Sequence, residues 1–186
     1  VTLFALATQL DKVVTSQLLS SEVFAEYVVA MTICFTPLSI IANTMSTYII
    51  VTVKRGGDNN RLALSKVVFI SLLVLIAMSS FIFIISPYLV SIVFGERYMG
   101  VLKILPSCIV ISCVISIRIV MHNFLRGMGL NNIICKIHAS SITIVFLGLL
   151  IFSFFSYLDD TVYAIAQIYL ASMLFVFILS WYELNA

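Results

Sequence analysis

Long uncharged apolar runs alternate with short polar breaks along the whole chain. Tyr27–Val53, Val67–Gly95, Ala139–Leu158 and Thr161–Tyr182 contain no charged residue. Each reaches the ~20 mostly apolar residues that a helix needs to cross the hydrocarbon core of a bilayer. Two further segments are interrupted: Val1–Leu19 by Asp11 and Lys12, and Val101–Leu125 by Lys103 and Arg118. Counted together, the runs predict an all-α membrane protein, a bundle of six transmembrane helices at 1–19, 24–53, 64–94, 101–125, 132–157 and 161–184. The breaks carry turn chemistry, with Gly56-Gly57-Asp58-Asn59-Asn60 in one and Gly127-Met128-Gly129-Leu130-Asn131-Asn132 in another. Asp159 and Asp160 stop one run and cap the next. Pro37, Pro87 and Pro106 fall inside or at the edge of spans, where a missing N–H kinks a helix or marks its first turn.

The spans are not uniformly apolar. Thr32, Thr36, Ser39, Asn43 and Ser46 or Thr47 recur at three- and four-residue steps, a polar stripe down one side of the second helix. Thr8, Asp11 or Lys12, and Thr15 repeat the pattern in the first helix, and Ser112, Ser116 and Asn123 approximate it in the fourth. Small polar residues also serve as packing contacts between membrane helices. Three stripes together with intramembrane charges predict a hydrophilic cavity inside the bundle.

Composition excludes the soluble alternative. Of 186 residues, 62% are hydrophobic and 10% are charged, too few to coat a water-exposed surface. The formal charge of +2 and the absence of a basic run give no footing for nucleic acid. The four cysteines show no metal-type spacing and read as reduced packing residues. The distribution of charge orients the chain, because basic residues are retained in cytoplasmic loops. Lys54, Arg55, Arg61, Lys66, Arg126 and Lys136 collect on one side; Arg97 and Lys103 lie on the other, among Glu22, Glu26, Glu96, Asp159 and Asp160. The first group is assigned to the cytoplasm, together with both ends of the chain. The first residue is Val1 and no basic n-region with a cleavage site follows it, so the expectation is a single lobe, residues 1–186, continuing a longer protein.

Ionisable groups inside spans are costly unless paired or wetted, which makes them the first functional candidates. Asp11 and Lys12 fall near mid-membrane, and as sequence neighbours they diverge by about 100° around a helix and do not pair with each other. A buried structural ion pair with another helix is the alternative to a functional role for them. Arg118, His122 and Arg126 stand four apart on one helical face, a ladder of cationic or protonatable groups able to neutralise a phosphate or pyrophosphate. The plainer readings are that Arg126 snorkels to the interface and that His122 is hydrogen-bonded between helices. No phosphate loop, zinc-peptidase motif or acyl-transfer pair is visible, so neither a cofactor, a metal nor an enzyme activity is expected.

Three phrases in register resemble a known family. Leu10-Asp11-Lys12, followed after a short loop by Phe24-Ala25-Glu26-Tyr27, resembles the start of the second half of polysaccharide-lipid flippases. Ser86-Pro87-Tyr88-Leu89 leading to Phe94-Gly95-Glu96-Arg97-Tyr98, and Asn123-Phe124-Leu125-Arg126-Gly127, look like its later segments. The family is the polysaccharide and O-antigen flippases of the multidrug/oligosaccharidyl-lipid/polysaccharide exporter superfamily. The resemblance implies a C-terminal six-helix lobe, in the bacterial inner membrane, whose partner is an N-terminal lobe absent from this chain. It implies an undecaprenyl-pyrophosphate-linked oligosaccharide as the cargo, held by Arg118, Lys12 and His122, with Asp11 in ion or proton coupling; Asn43 of the polar stripe is added to the candidate cavity from its position. A drug or small-cation exporter of the same superfamily and part of a polysaccharide polymerase are the alternatives; the first predicts a more acidic cavity, the second a large periplasmic loop.

Overall fold

A computed structural model describes residues 19–55 and 60–154, together with Ser16 and nine positions between 165 and 178. The described backbone is helical, as an apolar environment demands, because a helix satisfies its N–H and C=O groups internally. Four long helices follow in order: α1 (Ser21–Arg55), α2 (Asn60–Leu89), α3 (Val101–Gly127) and α4 (Asn131–Phe154). The isolated described positions 165, 167, 168, 170–172, 174, 175 and 178 are helical too.

Local chemistry accounts for the boundaries. Chain entry into α1 is held by Ser20, whose carbonyl accepts the Phe24 N–H at 2.8 Å and whose hydroxyl accepts the Val23 N–H at 3.5 Å. Glu22 adds a negative charge in the first turn, where the helix dipole favours it. Beyond Pro87, α2 widens into a π turn over Val90–Phe94, closed by the Gly95 N–H on the Val90 carbonyl at 3.0 Å. Gly95, at φ 83°, then reverses the chain into a short 3-10 turn, Glu96–Tyr98. At the other end of α3, the N–H groups of Met128, Gly129 and Leu130 reach back to the carbonyls of Phe124, Arg126 and Leu125. Gly129, at φ 79°, supplies the left-handed residue that this closure requires.

Packing makes α3 the centre. It meets α1, α2 and α4, and α1 also meets α2. Tyr27, Ala30, Cys34, Leu38 and Ala42 of α1 close on Val101, Leu105, Cys108 and Ile111 of α3, all fully or almost fully buried. Ser112 Oγ lies 4.0 Å from Met31 Sδ, and the Glu26 carboxylate lies over Gly100 at the start of α3, so α1 and α3 run side by side in the same direction. A second cluster, Met121, Leu125, Ile134 and Ile137, joins α3 to α4. By contrast α2 turns most of its apolar surface outward: Phe81, Phe83, Ile84, Tyr88, Ile92 and Val93 are exposed, Ile92 at 81%. In water such a face is an association hazard, whereas in lipid it contacts solvent of its own kind.

Three described helices are long and apolar enough to cross a membrane: Ser21–Val51, Phe69–Phe94 and Val101–Gly127. Of the six expected spans, 24–53, 64–94 and 101–125 are thus shown at membrane-crossing length. Span 24–53 begins earlier, at Ser21, and 64–94 begins at Asn60 and ends in a π turn. The helix expected at 132–157 is described as far as Phe154. The expected first span lies almost wholly outside the described residues, and the last is represented by its separate helical positions.

Candidate functional site

The Ser79 hydroxyl and Cys113 thiol, 3.0 Å apart, mark where α2 and α3 cross, close to the middle of both of their spans. Heights along α3 can be counted from that contact at 1.5 Å per residue. Arg118, His122 and Arg126 then lie about 8, 14 and 20 Å from it along the helix, each step of four also turning the column by about 40°. The hydrocarbon edge is about 15 Å from the mid-plane. In a bilayer centred on the Ser79–Cys113 contact, Arg126 would lie at headgroup depth, His122 just inside the apolar layer and Arg118 well within it.

Burial follows the same gradient. Arg126 is exposed, His122 half-buried and Arg118 only 7% exposed. Arg118 lies on the sector of α3 between the face that meets α4 through Met121 and Leu125 and the face that meets α1 through Ser112. The arginine Nε is buried without a hydrogen bond of its own, although the residue makes other polar or electrostatic interactions. His122 has Arg126 and Arg118 as charged neighbours. An Arg–His–Arg row with steps of about 6 Å, two fixed cations with an imidazole between them, is chemically suited to the oxygens of a phosphate or pyrophosphate.

The stripe on α1 is turned the other way. Its core face, from Tyr27 through Cys34 and Leu38 to Ile49, is opposite Thr32, Thr36, Asn43 and Thr47, which are exposed. Several of its hydroxyls bond to their own helix: Thr32 to the Val28 carbonyl at 2.8 Å, Ser39 to Thr36 at 2.9 Å, Ser46 to Ala42 at 2.6 Å and Thr47 to Asn43 at 3.1 Å. Asn43 thus faces away from α3, and the described helices do not bring it to Arg118 and His122. Asp11 and Lys12 lie outside the described residues. In α3, Ser112 meets Met31 and the Asn123 amide donates to the Ile119 carbonyl at 3.0 Å, so both serve packing between or within helices. Ser116 Oγ is buried without a hydrogen bond.

Cys34 and Cys108 are buried, Cys113 is half-buried and Cys135 is exposed; all are free thiols. Among the described residues no group of three His, Cys, Asp or Glu side chains is arranged to hold a metal. Two features have no counterpart in the sequence reading. One is the Glu26 carboxylate resting on Gly100. The other is a groove of about 370 Å³ between α2 and α3, lined by Ser79, Ser80, Phe83, Ile84, Pro106 and Ile109. The adjacent Ser79-Ser80 pair inside an apolar run, opposite a helical proline, is the signal that could have found it. No protein-family model, curated protein sequence or solved structure matches this chain.

Proposed function

We propose that this chain is one six-helix lobe of a flippase that carries an undecaprenyl-pyrophosphate-linked oligosaccharide across the bacterial inner membrane. The supporting observation is the row on α3 that runs from exposed Arg126 near the helix end to buried Arg118 within the membrane-length apolar span. A buried arginine is expensive in lipid, and anion recognition is a use that offsets its cost. In this reading the pyrophosphate moves along the column while the polyprenyl tail stays in lipid. The sugars pass over the exposed polar face of α1, where Thr32, Thr36, Asn43 and Thr47 offer hydroxyl and amide groups. Lys12 adds to the anion site and Asp11 couples the cycle to an ion or proton. A second lobe completes the cavity, and rocking of the two lobes about the site gives access to either side. The role is transport and not catalysis, and it calls for no cofactor.

The test is surface polysaccharide display in cells that depend on the full-length protein. Arg118→Ala is expected to abolish display at equal protein abundance, and Arg118→Lys to retain part of it. Wild-type display by Arg118→Ala removes Arg118 from the site.

A further inference from the structure

Basic side chains at one end of the helices fall at a common height on three different elements. Lys66 of α2 and Arg126 of α3 are each thirteen residues from the Ser79–Cys113 contact, which sets both at about 20 Å from the mid-plane. Lys136 of α4 lies between Ile134 and Ile137, the residues that pack on Met121 and Leu125 of α3, and so stands at about 12–18 Å. All three are exposed. The described acidic residues, Glu22, Glu26 and Glu96, all lie at the opposite end. Lys54, Arg55 and Arg61 flank the α1–α2 connection at the basic end and Asp58 sits within it.

The three cations do not converge. Thirteen residues turn a helix by about 140° from its starting direction, so Lys66 points away from the α2 face that carries Ser79 and meets α3. Arg126, by the same count from Cys113, turns toward the α1 side of α3. A small soluble anion is gripped by groups that close on one point, whereas separate cations around a bundle at phosphate depth match a layer of separate phosphates. We infer that this end of the bundle is a docking surface for anionic glycerophospholipid headgroups. Charge complementarity and depth carry the assignment: long basic side chains reach the interface and attract acidic lipid there. It rests on the membrane-spanning reading of the helices, and of its three cations Arg126 alone is shared with the proposed cargo path.

The experiment uses the full-length protein in nanodiscs of phosphatidylcholine with phosphatidylglycerol, and measures the lipids retained on release into the gas phase. Nanodiscs expose both leaflets, so insertion orientation does not affect the result. The wild-type protein is expected to retain phosphatidylglycerol selectively. A Lys66→Gln, Arg126→Gln, Lys136→Gln triple variant should lose about fivefold in preference per residue, roughly 100-fold in all. Arg97→Gln with Lys103→Gln, at the acidic end, should leave the preference intact, as should the charge-preserving set Lys66→Arg, Arg126→Lys and Lys136→Arg. Undiminished selectivity in the glutamine variant overturns the inference. So does loss of selectivity in the charge-preserving set, and so does displacement of the lipid by millimolar inorganic phosphate, which would assign the surface to a free anion.

Discussion

Gly100 is where a single methyl group interrogates the packing of α1 against α3. Its φ of −57° and ψ of −27° suit any residue, so Gly100→Ala carries no backbone penalty and gains about 0.4–1 kcal/mol by restricting the unfolded chain. The added Cβ, however, would fall on the Glu26 carboxylate. Displacing that carboxylate forfeits about 0.3–1 kcal/mol of its interaction with the start of α3, and the crowding itself costs about 1–2 kcal/mol at the lower end of overpacking. The net expectation is a loss of about 1 kcal/mol, a fall of about 2–4 °C in Tm for a domain of this size. In a Glu26→Ala background the space is vacant and the same substitution should stabilise by about 0.5 kcal/mol. The double-mutant cycle therefore predicts a coupling of about 1.5 kcal/mol, read by thermal unfolding of the four variants in one detergent. Equal effects of Gly100→Ala in both backgrounds would refute the contact and the side-by-side alignment of α1 and α3.

Three further outcomes follow from individual residues. Gly129→Ala meets no neighbouring atom but must hold φ near 79°, so thermal unfolding should report a loss of about 1–2 kcal/mol, with Gly129→Asn losing less. Phe124→Ala, at a fully buried position of α3, should cost about 3–5 kcal/mol, whereas Ile92→Ala, exposed on the π turn, should stay within about 0.5 kcal/mol by the same assay. Asn43→Leu, on the outward face of α1, should leave Tm unchanged within error while reducing surface polysaccharide display at equal protein abundance.

Much of the architecture was legible because a membrane span is written in length and absence of charge. The runs around Phe35, Phe81 and Ile115 needed nothing else to be read as helices. Caps were harder: Ser20 and Asn60 begin helices several residues before the apolar runs, since a helix end can project into the polar layer. The π turn after Pro87 was not legible, because its widened hydrogen bond depends on Gly95 leaving the helical direction. The spacing of Arg118 and Arg126 along one helix was legible, whereas the burial of the first and the exposure of the second are set by how α3 packs. The direction of the α1 stripe did not. Periodicity locates Thr36 and Asn43 on one face, but in lipid both faces of α1 are compatible with their surroundings, and only the packing of Cys34 and Leu38 on α3 says which is turned inward. The Glu26–Gly100 contact joins residues far apart in sequence and carries no local signature.

The most direct test of the account is translocation by the purified full-length protein in vesicles carrying an undecaprenyl-pyrophosphate-linked oligosaccharide on one leaflet. Appearance of the sugar on the other side is followed with a membrane-impermeant glycosidase. The account predicts protein-dependent appearance of sugar that is abolished by Arg118→Ala, partly kept by Arg118→Lys and unaffected by Arg97→Ala at the acidic end. Translocation at the wild-type rate by Arg118→Ala, or none by the folded wild-type protein, would contradict it.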